Sequence, residues 1–164
     1  MAVKEIKQHP DEILTTPARP VDIKMMSGEA NPSIKESWMR WIKNMVQDLI
    51  DTMEDSGGIG LAAPQIGQPF QVIVYKDGLD NKYLLNPQII ATSNIVKSYD
   101  EGCLSVKGRR LNVRRAKHVT VKGYTLNGDE LAEVTVKSRN KLLSFELQHE
   151  IDHLNGQTIL DRGK

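Results

Sequence analysis

The chain has 164 residues, and its 22 lysines and arginines nearly balance 21 aspartates and glutamates, giving a formal net charge of +1. This length fits one domain with a sizeable core, so we expect a single catalytic domain over residues 1–164. The balanced charge gives no electrostatic reason to expect nucleic-acid or anionic-membrane binding. No apolar run approaches the length of a membrane span.

The first 32 residues are punctuated by four prolines and are typical of an extended arm with turns. A helix is predicted to begin near Pro32, where Ser33 and Glu36 have the spacing of a capping box. Gly57 and Gly58 are expected to end it. Apolar residues recurring at threes and fours predict its buried face, formed by Ile34, Trp38, Trp41, Met45, Leu49 and Met53.

Two short strands are predicted next, "FQVIVY" (70–75) and "KYLLNPQIIA" (82–91), the second interrupted by Pro87. The segments "HVTVKGYTL" and "ELAEVTV" predict a hairpin that turns at Asn127 and Gly128. A second helix is predicted from about Ser138 to Leu154, with Asn155 and Gly156 as its stop. Because strands and helices do not alternate as βαβ units, the pattern favours an α+β fold over a doubly wound one.

The stretch "QHEIDH" (148–153) lies in this second helix. His149 and His153 are four residues apart, which places both imidazoles on one face where they could bind a single metal ion. Glu150 stands beside the first of them and could reach a water molecule without being a ligand. The alternative is a packed helix whose histidines only satisfy core hydrogen bonds. The full His-Glu-x-x-His pattern favours the metal, which then needs a third protein ligand.

Four other residues are candidates for that third ligand. His9 and His118 have no recognisable ligand spacing and are expected to be surface or structural residues. Asp152 cannot share the histidine face closely, so orienting a ligand is its expected role. Cys103, in "DEGCLSV", is the remaining soft donor. A lone cysteine is more often a small buried hydrophobe, so its spacing alone leaves both roles open.

The third informative stretch is "GGIGLAAPQIG" (57–67), whose glycines and alanines permit close approach of another backbone. It lacks the Lys-Ser/Thr ending of a phosphate-binding loop, and Gln65 is its only side chain with hydrogen-bonding chemistry. A basic cluster follows later in the chain. We expect these basic side chains to form a solvated, partly ion-paired face. The alternatives are that they help to hold a peptide or pair with nearby acids. The cluster consists of Lys107, Arg109, Arg110, Arg114, Arg115 and Lys117.

Three stretches in this order, "GIGLAAPQ" (58–65), "EGCLS" (101–105) and "QHEIDH" (148–153), resemble the motifs of the peptide deformylase family. The opening "HPDEILTTPARPV" is also similar to that family's N-terminal arm, so the resemblance covers nearly the whole chain. It implies antiparallel sheets surrounding a central helix that carries the His-Glu-x-x-His motif. It also implies removal of the formyl group from the N-terminal methionine of new polypeptides, with release of formate.

The resemblance implies a role for each motif residue. Cys103, His149 and His153 would bind one metal ion per chain, which we expect to be iron(II), with zinc or another divalent transition metal as a substitute. Glu150 would move the protons of the reaction as a general base and acid. Gln65 and the backbone N–H of Leu104 would stabilise the oxyanion.

Substrate contacts are also expected. The backbone around Ile59, Gly60 and Gly102 is expected to pair with an extended peptide, because the reaction must accept many sequences after the first residue. Leu142 and Phe145 are expected to line an apolar pocket for methionine. The partners would be N-formylmethionyl peptides and nascent chains at the ribosome.

The single cysteine excludes an internal disulfide, and the N-terminus lacks an apolar signal core, so we expect a cytoplasmic protein. The resemblance suggests a bacterial cytoplasm, or that of a bacterial host if a virus encodes the chain. We expect a monomer without membrane association.

Two positions depart from the family pattern. Lys107 stands where proline is common, and Glu146 stands one turn before His149, where small or apolar residues are usual. A zinc peptidase is one rival hypothesis, although such enzymes take their third ligand from further along the chain. A non-catalytic module with a structural metal is another, although a structural site needs four protein ligands and the sequence offers three.

Overall fold

The computed structural model describes residues 2–163, apart from the side chains of residues 97–99; Met1 and Lys164, the ends of the predicted domain, lie outside them. Its helices are α1 (Pro32–Asp55), α2 (Lys141–Leu154) and α3 (Ile159–Arg162). Short 3-10 turns occupy Glu12–Leu14, Ile23–Met26 and Ala63–Ile66. The strands are β1 (Gly60–Ala62), β2 (Val72–Asp77), β3 (Asp80–Thr92), β4 (Ile95–Gly102), β5 (Arg110–Ala116), β6 (Val119–Asn127) and β7 (Glu130–Lys137).

These strands form two antiparallel sheets. Five strands pair in the order β1-β2-β3-β6-β7, and β4 and β5 pair as a separate ribbon. The predicted α+β class, with antiparallel sheets and few helices, is therefore confirmed. In the described part of the chain, no helix is long and apolar enough to cross a membrane.

Helix α1 begins at Pro32, as predicted, but its cap differs from the prediction. Its cap is Asn31, whose side chain accepts a hydrogen bond from Ser33 N–H at 3.0 Å, so the prediction that Ser33 caps the helix is wrong. Pro32 takes the first helical position, where its missing N–H costs nothing. Ile34 is 46% exposed and does not belong to the buried face. Trp38 and Trp41 pack edge to face against each other, with ring centroids 5.2 Å apart, on the edge of the core.

Strand β2 of the five-stranded sheet is buried on both faces, and its successive side chains point to opposite sides of the sheet. In β2, Val72 and Val74 join the core under α1, whereas Ile73 and Tyr75 join the core under α2. The strand therefore has an unbroken apolar run instead of alternation. The two helices cover opposite faces of one sheet.

The predicted hairpin is present, but its turn lies one residue later than predicted. Asn127 still pairs with Glu130, and the two turn residues are Gly128 and Asp129, with Gly128 at φ +62°. Strand β3 breaks register at Pro87, as its lack of an N–H requires. The ribbon of β4 and β5 was not predicted, because its polar composition hid any apolar alternation.

Helix α2 starts three residues later than predicted, after Asn140, whose side chain caps Leu143 N–H at 2.9 Å. Its predicted stop is confirmed, with Asn155 as the cap and Gly156 at φ +70°. The helix packs against β1, β2 and β6 of the large sheet and against β5 of the ribbon. The side chain of Gln148 fixes the last contact, because its amide exchanges two hydrogen bonds of 2.9 Å with the backbone of Ala116.

Candidate metal centre and cavity

The structure brings together the three predicted ligands. His149 and His153 lie one turn apart on α2, and Cys103 follows the last residue of β4. Nε2 of His153 lies 3.2 Å from the Cys103 Sγ and 3.3 Å from Nε2 of His149. One donor atom from each residue falls within 4.8 Å of the other two. The ribbon and α2 therefore converge on one point.

This donor set suits a transition metal. A thiolate with two imidazoles favours zinc, iron or cobalt over magnesium or calcium. Three protein ligands leave a position open, as in catalytic rather than structural sites. Both histidines are buried, and the Nδ1 of His153 has no hydrogen-bond partner among the described residues. The residues present thus fit one metal ion.

The imidazole of His149 is oriented by Glu101. Its Nδ1 lies 2.7 Å from Oε1 of that carboxylate, so a proton on Nδ1 leaves Nε2 free for a metal. Burial opposes a charge on His149, but Cys103 and Glu101 outweigh it and raise its pKa. Burial, together with the neighbouring His149 and Arg115, lowers the pKa of His153. Metal binding should therefore displace a proton from this pair of histidines.

Arg115 links the two strands of the ribbon to α2. It donates from Nη2 to Glu101 Oε1 at 2.7 Å and from Nη1 to Asp152 Oδ2 at 2.5 Å. Asp152 also accepts from Arg162 at 2.7 Å. The expectation of a solvated basic face is therefore wrong for Arg115, whose side chain is only 3% exposed. Its pairing with acids was the alternative, and Asp152 holds this network without reaching the ligand atoms.

The same network sets the charge of Glu101. Burial would raise the pKa of this carboxyl, but the hydrogen bonds from His149 and Arg115 lower it to about 2. Glu101 therefore stays ionised and can hold the His149 ring through the ordinary pH range.

Replacing Arg115 with alanine should lower the free energy of unfolding by ~3 kcal/mol, because Glu101 and Asp152 lose their shared buried partner and keep only His149 and the half-exposed Arg162. Metal affinity should fall by ~10–100-fold, since Glu101 would lose its orientation. Denaturant unfolding and competition with a chelator measure the two effects. Arg40→Ala is the matched control. Arg40 forms an ion pair with Glu36, and the two side chains are 68% and 72% exposed. Removing this pair should therefore change the free energy of unfolding by less than about 1 kcal/mol. Equal effects of the two changes would contradict this account of Arg115.

Glu150 lies beside the ligands with its carboxyl buried. The residue is 2% exposed, and its Oε2 has no hydrogen-bond partner within the described residues. Burial raises the pKa of Glu150, and the adjacent Glu146 carboxyl adds to the rise, although His149 opposes it. A buried carboxyl with a free oxygen can take up and release a proton.

Glu146, which the sequence left unplaced, turns toward the same point. A methyl group on Gly60 would overlap Oε1 of Glu146 and lie 2.9 Å from Oε1 of Glu150. Burial raises the pKa of Glu146 as well, so this pair of carboxyls favours sharing a proton. Only glycine at position 60 leaves room for both carboxyls.

The two predicted oxyanion donors lie on neighbouring loops. Gln65 is 1% exposed; its Oε1 accepts from Ala62 N–H at 2.8 Å, and its Nε2 donates to Ser105 Oγ at 3.1 Å. These two hydrogen bonds fix the orientation of the Gln65 side-chain amide. They leave its second N–H without an acceptor among the described residues. The backbone N–H of Leu104 donates to no acceptor among residues 2–163. Both N–H groups therefore remain available to a bound molecule.

These groups surround a cavity of about 920 Å³. The predicted substrate contacts all line it, as do the donors, Glu146 and two of the ligands: Ile59, Gly60, Gly102, Leu142, Phe145, Gln65, Leu104, Glu146, Glu150, Cys103 and His149. His153 is 1% exposed and lies behind them. Lys107 is exposed and outside this lining, whereas Arg109 and Arg110 belong to it. His9 is exposed and His118 half-buried, in keeping with surface or structural roles, and neither belongs to the group of donor atoms among the described residues.

Three residues that contribute to the site were not predicted from the sequence. Glu101 and Ser105 stand in "EGCLS", so their place in the motif was a usable signal. Arg115 carried no such signal, because its partners lie 14 and 37 residues away. Nothing in the local pattern separates it from the exposed arginines beside it.

Comparisons of the sequence and of the fold with known proteins match one family. A family model described as Polypeptide deformylase matches residues 3–164. The peptide deformylase of Desulforudis audaxviator (strain MP104C) is 40% identical over 163 residues, which span 99% of this chain and 94% of that relative. The solved structure of a peptide deformylase from Thermotoga maritima superposes with a TM-score of 0.81 at 28% identity, covering 100% of this chain and 99% of that one.

A further solved structure carries a peptide. The Met-Ala-Ser-bound class I type b peptide deformylase from Acinetobacter baumannii superposes with a TM-score of 0.79 at 28% identity, covering 98% of each chain.

Proposed function

This chain belongs to the polypeptide deformylase family, and from that membership we propose that the cavity beside α2 is where it hydrolyses formyl-methionyl peptides. Members of the family remove the N-formyl group from nascent polypeptides, and the chain is a hydrolase of that kind. One observation carries the assignment to this cavity: Cys103, His149 and His153 place donor atoms within 4.8 Å of one another beside the buried Glu150.

Cys103, His149 and His153 would hold the metal ion on which the family depends. Such an ion, when bound, supplies Lewis acidity that polarises the formyl carbonyl and lowers the pKa of water. Glu101 would hold the His149 ring so that its Nε2 faces the centre, a role that its 2.7 Å contact with Nδ1 supports. Iron(II) is the proposed native ion, with zinc or another divalent transition metal as a substitute.

The protons of the reaction are assigned to Glu150. Its carboxylate would accept the proton of the attacking water and later deliver one to the departing amine. The unpartnered Oε2 of this residue supports the assignment. The amide of Gln65 and the N–H of Leu104 would donate to the oxygen of the former formyl carbonyl as negative charge develops there. Within residues 2–163, the second N–H of the Gln65 amide and the N–H of Leu104 donate to no acceptor.

The peptide itself would bind as an added strand. Strand β1 is an edge strand of the five-stranded sheet, so one side of its backbone is open to a partner. Ile59 and Gly60 would pair with the peptide on that side and Gly102 on the other, because all three line the cavity. Leu142 and Phe145 would contact the methionine side chain. A deformylated peptide of this type, Met-Ala-Ser, is bound in the relative from Acinetobacter baumannii.

Several wider features belong to the same proposal. The chain would be one catalytic domain in which α2 is the central helix, because the five-stranded sheet packs on one side of it and the ribbon also contacts it. It would act as a monomer in the cytoplasm, on formylated nascent chains at the ribosome. The bacterial origin of the relatives supports a bacterial cytoplasm, or that of a bacterial host.

A direct assay tests the proposed function. The metal-loaded protein is incubated anaerobically with formyl-Met-Ala-Ser and, separately, with a long unformylated peptide. We expect formate from the first and no internal cleavage of the second. Internal cleavage without formate would point instead to a zinc peptidase. Bound metal with no formate release would leave only a non-catalytic binding module.

Gly60→Ala should reduce kcat/KM by ~10–100-fold, because the added methyl displaces two carboxyls beside the reacting atoms. Adding Glu146→Ala should restore part of the loss, since it removes the larger overlap. The coupling energy of this double-mutant cycle measures the effect. Gly28→Ala is the matched control, because a methyl there meets nothing within 4 Å. Additive effects, or full activity of Gly60→Ala, would refute this role for Gly60.

A further inference from the structure

The two oxyanion donors belong to separate loops, and their relative position has to be maintained. Gln65 lies in the 3-10 turn after β1, and Leu104 lies in the loop after β4. One hydrogen bond links the two loops directly. Gln65 Nε2 donates it to Ser105 Oγ at 3.1 Å. A displacement of about 1 Å in such a donor pair can cost ~100-fold in rate.

A segment of the N-terminal arm, residues 7–9, runs between these loops and forms hydrogen bonds with both. The N–H of Lys7 donates to Gln65 O at 2.8 Å, and the N–H of His9 donates to Ser105 O at 2.9 Å. Nε2 of Gln8 donates to Leu104 O at 3.0 Å. The segment therefore touches the main chain of both donor residues.

The arm has its own anchors on the body of the protein. The N–H of Lys4 donates to Thr52 Oγ1 at 2.9 Å, and Ile6 packs against the core under α1. Gln8 itself is half-buried, and its Nε2 also lies 3.2 Å from Ile6 O. Its amide is thus held on one side by the arm and on the other by the Leu104 loop. An anchored side chain can hold the loop in place.

We propose that Gln8 is a positioning residue, which holds the Leu104 loop against the Gln65 turn so that both N–H donors point at one oxygen. The inference rests on the proposed function, because it assigns a task to donors of that reaction. Gln8 touches no reacting atom. It acts through the carbonyl of Leu104, whose residue carries one of the two donors.

Gln8→Ala tests this role by separating kcat from KM on formyl-Met-Ala-Ser. We expect kcat to fall about 10-fold with KM nearly unchanged, less than the ~10²–10³-fold that follows loss of a whole donor. Gln8→Glu, which keeps the shape but removes the N–H donor, should fall at least as far. Metal content and the affinity for Met-Ala-Ser should stay at the wild-type level.

Two further variants are compared with Gln8→Ala. Gln88→Ala, a change at an exposed glutamine of β3, is the matched control and should keep the wild-type kcat. In a Gln65→Ala background, Gln8→Ala should cost less than it does alone, because one of the two donors is already gone.

Failure of the inference is distinct from failure of the proposed function. If the wild type releases formate while Gln8→Ala and Gln8→Glu match Gln88→Ala, Gln8 has no positioning role. A rise in KM or a loss of metal with unchanged kcat would also overturn it. If the wild type releases no formate, the proposed function itself fails.

Discussion

Glu150→Gln is expected to lower kcat by ~10²–10⁴-fold while the metal content of the chain stays unchanged. Glutamine has nearly the shape of glutamate, so the buried position, which is 2% exposed, can accommodate it. It cannot accept a proton from water at neutral pH. The loss should therefore fall on the chemical step and leave KM for formyl-Met-Ala-Ser close to the wild-type value.

The environment of Glu150 explains why this carboxyl suits proton transfer. Burial and the neighbouring Glu146 raise its pKa above that of an ordinary glutamate, which brings it closer to the working pH. Its unpartnered Oε2 can accept a proton without breaking a bond inside the protein.

Steady-state formate release and metal analysis of the same samples measure the effect of Glu150→Gln. The matched control is Glu133→Gln, because Glu133 is 49% exposed and forms a surface ion pair with Lys122 at 3.0 Å. It should keep full activity. A Glu150→Gln protein with normal turnover would remove Glu150 from the reaction.

Cys103→Ala is expected to abolish stable metal binding and, with it, formate release. The change removes the only sulfur donor of the set and leaves two imidazoles, one of them on the almost inaccessible His153. Loss of an outer hydrogen-bond partner alone typically costs ~10–100-fold in metal affinity, so loss of a ligand should exceed that range. The fold should survive, since alanine keeps most of the contact of Cys103 with its small apolar cluster.

Metal content after dialysis against a weak chelator measures this loss, and thermal unfolding verifies the fold. His118→Ala is the matched control, because His118 is a half-buried histidine away from the three donor atoms. It should bind metal as the wild type does. A Cys103→Ala protein that retains metal and activity would mean that another residue completes the site.

The parts of the fold that could be predicted are those with a local signal. Helix α2 was predicted over about Ser138 to Leu154, and Asn155 with Gly156 correctly marked its end. The cap of α1 was misplaced because Ser33 has capping-box spacing, whereas Asn31 stands directly before Pro32 and makes the actual bond. Both residues are good caps, so composition alone could not choose between them.

The ribbon of β4 and β5 could not be predicted because its burial depends on long-range partners. Arg115 is buried only because Glu101 on the opposite strand and Asp152 on α2 neutralise it. A local pattern treats such an arginine as a surface residue. The packing of Glu146 against Gly60 is equally non-local, since these two residues are 86 positions apart and must meet before the Glu146 side chain has a place.

The candidate site was more predictable than the sheets because its chemistry restricts residue types. Two imidazoles and a neighbouring carboxyl are recognisable by type and spacing, the family resemblance adds Cys103, and the structure brings Cys103 to the two histidines. The residues that contact the two oxyanion donors, such as Ser105 and Gln8, are ordinary side chains, and no local pattern marks these contacts.

Formate release measured against metal loading tests the central claim most directly. The chain is freed of metal, reloaded anaerobically with increasing iron(II), and supplied with formyl-Met-Ala-Ser. We predict no formate without metal and a linear rise that stops at one ion per chain, with Glu150→Gln binding the same single ion but remaining almost inactive. Formate release by the metal-free chain, or none from the wild type at one bound ion, would contradict the assignment of this site.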